Sequence, residues 1–347
     1  MFQLFDTHDD TWMNDASELC RHLLRPTPAP TMGAEEYDNA SEATREYFDG
    51  QRFEYMSQTI VATGSIKDLR NRLQRTMLMN RDAVAGRAGL LISGSAGLGK
   101  TTALRALATW TAHRYQRQLP AGLRDGDIPV VYVTVPPPAT PKSMIARLAT
   151  SIHIPVRSRD SAESLRREVA PQLKALHTQL LIVDEIHRLA RDSKDNAETT
   201  DVLKDLSDLV PCTFVFAGVA VEHSGLLAGE RGAQLAGRFS LARMVPYSID
   251  RSDEWEDVVA GFVQRSGLFG KVMVDPEYLL ERTQGSIGVL HAMFTQVVGL
   301  KLSDAHGSKD ESLSQADFEQ AVVPMHVDEE PPTALVAGRI ARQRRSR

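Results

Sequence analysis

Long apolar runs and cysteines are both scarce in this sequence of 347 residues. No stretch reaches the roughly 18 to 20 apolar residues that a membrane-spanning helix needs, and the acidic N-terminus lacks the basic-then-apolar order of a signal peptide. We therefore expect a cytoplasmic protein with no membrane partner. The two cysteines, Cys20 and Cys212, have no metal-ligand spacing around them, so the sequence predicts neither a disulfide nor a zinc site.

An overall excess of basic residues is also missing, because the formal net charge is -5. The charge is nevertheless unevenly distributed. Residues 1–50 carry eleven acids and three arginines, whereas the last ten residues carry five arginines and no acid. Such a basic tail could contact phosphates or an acidic partner, and it is equally consistent with a solvated tail.

The order of apolar patterns along the chain predicts a domain organisation. The apolar fraction of 42% and the charged fraction of 24% are ordinary for a globular protein. The proline-rich residues 26–34 cannot hold a helix, so we assign residues 1–35 to an acidic N-terminal appendage and linker. Residues 36–246 are predicted to form the main domain, residues 247–326 a small helical domain, and residues 327–347 a flexible basic tail.

Four near-continuous apolar runs in the main domain alternate with helical stretches. They are residues 89–93, 130–135, 180–184 and 212–217, and a fifth strand is predicted within ARMVPYS. Runs of this kind are typical of parallel strands that are buried on both faces. We therefore predict an α/β fold with a parallel five-stranded sheet flanked by helices, and ligands bound where strand carboxyl ends meet helix starts.

The first strand is followed by a phosphate-binding motif. Residues 94–101 fit the pattern GxxxxGK[ST] between an apolar strand and a helix, which is the context that the motif requires. The predicted nucleotide site consists of Gly94, Ser95, Ala96, Gly97, Leu98, Gly99, Lys100, Thr101 and Thr102. Glycines let successive backbone N–H groups surround phosphate oxygens, and the helix N-terminus adds partial positive charge.

Four side chains are expected to complete the chemistry of an ATP and Mg²⁺ site. Lys100 would reach the β and γ phosphates, and the Thr101 hydroxyl would bind Mg²⁺. The buried strand LLIVDE ends in Asp184 and Glu185, two charges that need a functional reason at the edge of a core. Asp184 would hold the metal through water, and Glu185 would orient or deprotonate the attacking water.

Together with QLAGRF and a helical lid, these motifs resemble those of the AAA+ ATPases over roughly residues 58 to 325. The segments YFDGQRFEYMSQTIVAT, VTVPPPATPKSMIARLATSI, DEIHRL and VLKDLSDLVPCTFVFAG narrow the resemblance to the TniB and TnsC group. This resemblance implies a transposition regulator: a homo-oligomer, ring or helical filament, that assembles with ATP on double-stranded target DNA. It would recruit or activate a DDE transposase, and the acidic first 50 residues could bind that transposase or a targeting factor.

Three features within the resemblance bear on hydrolysis. Arg238 stands in LAGRF, where AAA+ proteins carry an arginine finger for the neighbouring subunit, although Arg231 or Arg243 could take this role and Arg238 could be a surface arginine. Gly218 and Val219 replace the usual polar sensor after the fourth strand, and Gly288 replaces the arginine of the lid sensor. We therefore expect slow ATP hydrolysis, with the nucleotide acting as an assembly switch.

Two basic loops at strand ends are candidates for DNA contact. They contain Thr140 and Lys142, and Arg188, Arg191 and Lys194. Such residues would contact phosphates rather than read bases, although each loop is equally consistent with a solvated turn. Two other classes of protein stay open: a helicase loader, which commonly adds a winged helix after the lid, and a signalling NTPase, which usually carries a large effector domain.

Overall fold

The computed structural model describes most of the chain. The described residues are 13–25, 28–58, 60–84, 86–119, 124, 126–137, 140–190, 203–223, 227, 229–304 and 310–323. Within them two hydrophobic clusters form, one around a five-stranded sheet and one among the C-terminal helices. We call these two parts the core and the lid.

The core sheet is entirely parallel, as the four apolar runs predict, but its fifth strand begins at Phe239, before the segment ARMVPYS in which it was predicted. Its strands are β1 (Gly89–Ser93), β2 (Val130–Thr134), β3 (Leu180–Asp184), β4 (Thr213–Gly218) and β5 (Phe239–Arg243). Their order is β2-β3-β4-β1-β5. β1, β3 and β4 are buried along their whole length, which explains their lack of polar alternation. Because the strands are parallel, their carboxyl ends lie together at one edge of the sheet.

Helices flank this sheet. Those of the core are α1 (Ala16–Leu24), α4 (Gly64–Asn80), α5 (Lys100–Gln118), α6 (Pro141–Ser151), α7 (Ala162–Ala175) and α8 (Gly229–Ala236), and residues 203–209 are also helical. A 3-10 helix, Ile186–Ala190, follows β3. Capping is explicit in the sequence: Thr140 and Ser161 each form a capping box at the start of α6 and α7, which satisfies backbone N–H groups that have no partner in the helix.

Helix α1 is part of the core, although it lies in the segment predicted as an appendage. Asp15 caps it by accepting from the backbone N–H groups of Ser17 and Glu18. Its buried face joins the core cluster against α5 and β2, and the Cys20 thiol donates to the Val130 carbonyl at 3.3 Å. Burial raises the pKa of Cys20 to about 11. The thiol is therefore protonated and acts as a packing residue.

The lid is mainly helical. It contains α9 (Ser252–Arg265), α10 (Pro276–Thr283), α11 (Ile287–Asp304) and α12 (Gln315–Glu319). The predicted helical domain of residues 247–326 differs in one detail, because β6 (Val272–Met273) and β7 (Leu313–Ser314) pair in parallel. Two-residue strands are too short to produce a periodic pattern.

Among the described residues no single helix is long and apolar enough to cross a membrane, and one pair bent by 114°, Pro276–Thr283 with Ile287–Ser303, meets the length and composition criteria together.

Two helices between α1 and α4 in sequence pack on the lid. They are α2 (Ala34–Asn39) and α3 (Glu42–Gln58). Met56 and Phe53 join the lid cluster, and the buried Arg52 forms ion pairs with Asp49 of α3 and Glu311 of the lid. By packing, residues 34–58 therefore group with the lid rather than with the 36–246 domain to which the sequence pattern assigned them. We therefore propose a division of the chain by packing, in which residues 34–58 belong with the lid.

Candidate functional site

The loop between β1 and α5 has the backbone shape of a phosphate cradle. Gly97 and Gly99 take left-handed φ angles of 75° and 79°, which glycine adopts without steric cost. Gly99 is the N-cap of α5 and provides no side chain to its first turn. A Cβ at Gly99 would lie 2.9 Å from Ile287. Free backbone N–H groups at the start of a 19-residue helix therefore face a space that an anion could occupy.

Lys100 is the first residue of α5, and its ammonium group lies inside the loop. The Lys100 Nζ donates to the carbonyl oxygens of Gly94 at 2.8 Å and Ser95 at 2.7 Å. Burial lowers the pKa of Lys100, and the charges of Asp184 and Glu185 oppose that shift. The ammonium group is thus held close to both carboxylates by hydrogen bonds that phosphate oxygens could replace.

Asp184 ends β3 and is held by three hydrogen bonds. Its Oδ2 accepts from the Thr101 hydroxyl at 3.3 Å and from the buried Tyr132 hydroxyl at 2.6 Å, and its Oδ1 accepts from the Glu185 backbone N–H at 2.7 Å. Thr101 and Asp184 therefore place two oxygen ligands side by side, as Mg²⁺ requires. No group of three His, Cys, Asp or Glu side chains suited to a metal occurs among the described residues, so a cation here would depend on phosphate and water for its other ligands.

Glu185 stands in a strained conformation next to Asp184. Its φ angle is 59°, which is uncommon for a residue with a side chain. The Glu185 Oε2 lies 3.3 Å from Arg188 and 3.6 Å from His187. His187 Nδ1 also accepts from the Val219 backbone N–H at 3.2 Å. A histidine and a backbone amide thus occupy the position after β4 where the expected polar sensor side chain is missing.

The start of α11 closes directly on the phosphate loop. The Gly288 N–H and the Ser286 hydroxyl both donate to the Gly97 carbonyl at 2.8 Å. A Cβ at Gly288 would lie 2.4 Å from that oxygen, so no larger residue fits. The absence of a sensor arginine at Gly288 therefore has a steric cause: the lid backbone occupies the space through which such a side chain would extend.

A cavity continues from the phosphate loop between the core and the lid. Leu98, Gly99, Thr102 and Arg105 line it from the core side, and Tyr247, Phe262, Ile287 and His291 line it from the lid side. The segment before α4 adds apolar atoms from Ile60 and Val61. A partly apolar cleft that opens onto a phosphate cradle has the form of a site for the base and sugar of a nucleotide.

A second charged cluster lies beside the phosphate loop. Glu222 accepts hydrogen bonds from the Ser93 hydroxyl and, at 2.8 Å, from Arg243. Burial alone would raise the pKa of Glu222, but the bonds from Ser93 and Arg243 outweigh it and lower the pKa to about 2. Arg243 ends β5 opposite Ser93, at the nucleotide edge of the sheet.

Arg238 lies at the opposite edge of the sheet. It precedes β5, its carbonyl accepts from the Gly89 N–H at the start of β1, and its Nη1 pairs with Asp208 at 2.7 Å. A five-residue strand separates this position from Gly94 by roughly 16 Å. Arg238 therefore cannot serve the nucleotide site of its own chain. The side chain of the alternative finger, Arg231, lies outside the described residues.

The two loops predicted to contact DNA meet at the carboxyl edge of the sheet. The Arg188 Nη1 donates to the Val135 carbonyl just after β2 at 3.0 Å, and α6 starts a few residues later. There Thr140 is exposed and caps α6, and the exposed Lys142 donates to the Ser158 carbonyl at 3.0 Å. Arg191 and Lys194 lie outside the described residues.

Three residues of this site were missed by motif reasoning: Tyr132, Glu222 and His291. Tyr132 carried a usable signal, because a hydroxyl inside the aliphatic strand VVYVT must find a buried partner. Glu222 and His291 come close to the phosphate loop only through the packing of β4 and α11, and no local spacing indicates this.

Most residues of this site lie in a region that matches a known protein family. The family model described as "Bacterial TniB protein" matches residues 52–249, which is more than half of the chain. The chain belongs to the bacterial TniB family. The match includes the phosphate loop, Asp184, Glu185 and Arg238, and most of the lid of this TniB protein lies beyond it. None of the curated proteins with which the chain was compared matches it.

Solved structures share the fold at low sequence identity. The chain is similar to the Aeropyrum pernix ORC2 protein in ADPNP-ADP complexes, with a TM-score of 0.55 and 15% identity over 78% of this chain and 71% of that one. It is also similar to the A. pernix ORC1 protein in complex with DNA, with a TM-score of 0.53 and 15% identity over 77% and 68%. At this identity the likeness concerns the fold: this TniB protein has an AAA+ α/β core with a helical lid.

Proposed function

We propose that this TniB protein is an ATP-dependent transposition regulator that oligomerises on double-stranded target DNA and recruits or activates a DDE transposase. The observation that carries the proposal is the family match over the phosphate loop, Asp184 and Glu185. Slow ATP hydrolysis would then disassemble the oligomer. A targeting factor is a further candidate partner.

Binding of ATP with Mg²⁺ is supported by the donors and acceptors around the phosphate loop. Lys100 would exchange its bonds to the Gly94 and Ser95 carbonyls for bonds to the β and γ phosphates. Thr101 and Asp184 would hold Mg²⁺, which offsets charge on the phosphates when it is bound. Tyr132 keeps Asp184 oriented by its bond to Oδ2.

Slow turnover is supported by the way Glu185 is held. A residue that orients the attacking water must direct its carboxylate toward that water. Here the Glu185 carboxylate contacts Arg188 and His187. Arg188 also donates to the Val135 carbonyl, just before the first loop that is predicted to contact DNA. A DNA phosphate that bound Arg188 would therefore compete with the Glu185 carboxylate for the Arg188 guanidinium.

Oligomerisation is supported by the position of Arg238 at the far edge of the sheet. An arginine finger stabilises the charge that develops on the transferred phosphoryl group, and Arg238 could do so only in a neighbouring copy. Its ion pair with Asp208 would have to break when two copies meet.

The test is electron microscopy of the purified protein with a non-hydrolysable ATP analogue, with and without double-stranded DNA. Lys100→Ala is the matched control, because it removes the phosphate-binding cation and places a good helix former at the start of α5. We expect nucleotide-dependent rings or filaments on DNA for the wild type and none for Lys100→Ala. Particles that stay monomeric and ignore DNA would contradict the proposal and favour a signalling NTPase.

A further inference from the structure

The cavity between the core and the lid contains polar groups that the phosphate chemistry does not use. The inference drawn from this cavity rests on the proposed function, because that function places the phosphates of ATP in the loop at the mouth of the cavity. Most of its lining is apolar, including Ile60, Val61, Met244 and Phe262. Polar side chains in such surroundings need hydrogen-bond partners, and two of them, Tyr247 and His291, indicate what the partner is.

Tyr247 shows that the cavity is built for a ligand with polar atoms. Its ring is buried against Trp255 at a centroid distance of 5.4 Å. Its hydroxyl is buried and has no hydrogen-bond partner among the described residues. Because a buried hydroxyl without a partner loses the free energy of its bonds to water, a polar ligand atom is its natural complement.

His291 lies in the same cavity, one turn into α11, beside Phe262 at a ring distance of 5.8 Å. Burial lowers the pKa of His291, a hydrogen bond with the backbone of Ser57 opposes this shift, and the charge of Arg105 lowers it further. The bond to Ser57 favours protonation, so the backbone group must be the carbonyl, which accepts from a ring N–H. The neutral ring therefore keeps its second nitrogen as a hydrogen-bond acceptor.

We propose that His291 selects adenine over 6-oxopurines by accepting a hydrogen bond from the amino group at position 6. An amino group there donates, whereas the oxygen of guanine or hypoxanthine would face the lone pair of the imidazole nitrogen. The Ser57 carbonyl fixes the tautomer, and Phe262 supports the ring. The lid thereby reads the base while the core holds the phosphates.

The experiment compares ADP with IDP, whose bases differ at position 6 and in the proton that hypoxanthine carries on N1, by calorimetry in the presence of Mg²⁺. Diphosphates avoid turnover during the measurement. We expect the wild type to bind ADP at least about tenfold more tightly than IDP, because the wrong base leaves a buried acceptor unpaired. His291→Leu should weaken ADP binding and bring the ratio of the two affinities close to one. His291→Gln, whose amide can turn to donate or accept, should keep ADP binding and admit IDP.

Controls separate recognition from folding. Val297→Ala lies further along α11, in the lid cluster and outside the cavity, so it should lower the melting temperature without changing the affinity ratio. Equal binding of ADP and IDP by the wild type would overturn this inference alone. A His291→Gln variant that keeps the wild-type ratio of ADP to IDP affinity would also overturn this inference, even if His291→Leu fails to fold. A wild type that binds neither nucleotide would overturn both this inference and the proposed function.

Discussion

The two carboxylates at the end of β3 are held in different ways. Asp184 is buried and accepts from three donors, two of them hydroxyl groups. Glu185 is more exposed, has a left-handed backbone, and its carboxylate lies next to Arg188 and His187. This difference is consistent with a fixed metal ligand beside a movable catalytic group. Substitution of the residues that contact Glu185 should therefore change the rate of ATP hydrolysis.

Arg188→Ala should raise basal ATP hydrolysis by about two- to fivefold, because a partly exposed ion pair contributes at most about 1 kcal/mol to holding Glu185. The measurement is phosphate release without DNA. Arg21→Ala, which removes an exposed pair with Glu18 on α1, should leave the rate unchanged. A lower rate in Arg188→Ala would show that Arg188 assists catalysis instead of restraining Glu185.

Glu222 should make the stability of the protein depend on pH in the acid range. Its folded pKa of about 2 lies below its ordinary value of 4.5. Its contribution is therefore present above pH 4.5 and is lost as the pH falls toward 2. We expect Glu222→Gln to cost on the order of 3 kcal/mol of unfolding free energy at pH 7 and almost nothing near pH 2.

Denaturant titrations of both proteins across that range give the measurement. Glu18→Gln, at an exposed site, is the control and should show no such convergence. A Glu222→Gln deficit that stays constant with pH would contradict the assigned cause.

At the scale of elements, α3 depends on one buried cluster. The Arg52 guanidinium bonds Asp49 and Glu311, donates to the Gly267 carbonyl at 3.0 Å, and lies 4.7–5.1 Å from the ring centroids of three aromatic residues. Those rings belong to Tyr37, Phe48 and Phe269. The cluster thus ties α2 and α3 to the lid.

Arg52→Ala should lower the unfolding free energy by about 3–5 kcal/mol, because it leaves two carboxylates buried without a cation. Urea titration measures the loss, and hydrogen exchange should locate it in α3 and the lid. Arg72→Ala, in an exposed pair with Asp68 on α4, should cost less than about 1 kcal/mol. Equal losses in the two variants would mean that the Arg52 cluster is not what holds α3.

The sequence predicts most of these helices and strands, but it does not predict which of them pack against each other. Four of the strands and the phosphate loop follow from apolar runs and from one motif whose context is local, whereas the fifth strand was predicted a few residues too late in the sequence. The assignment of α3 to the lid depends on Arg52 meeting Glu311, which is distant in sequence. An apolar helix face indicates that something covers it and does not say what. For the same reason α1 was predicted as an appendage while its apolar face completes the core.

At the scale of the whole molecule, separation of Lys100 and Arg238 predicts shared active sites. Glu185→Gln and Arg238→Ala chains should each hydrolyse little ATP alone, and both keep Lys100 for the nucleotide binding that assembly needs. An equimolar mixture should recover activity at roughly a quarter of the interfaces, those that join an intact Glu185 site to a neighbour with Arg238. Phosphate release from the mixture is the measurement.

The control for this mixture is Glu185→Gln combined with an Arg238→Ala, Glu185→Gln double variant, which should stay inactive. If the first mixture also stays inactive while both chains still assemble, Arg238 is not the finger, and Arg243 or Arg231 becomes the candidate.

The N-terminal helices give the lid a third connection. The described chain passes from the core to the lid between α1 and α2, back before α4, and out again after β5. A rotation of the lid away from Gly97 would therefore be accommodated in three segments of the chain and not in one. A partner that binds the segment before α2 would then restrict that rotation, and so also the release of a bound nucleotide.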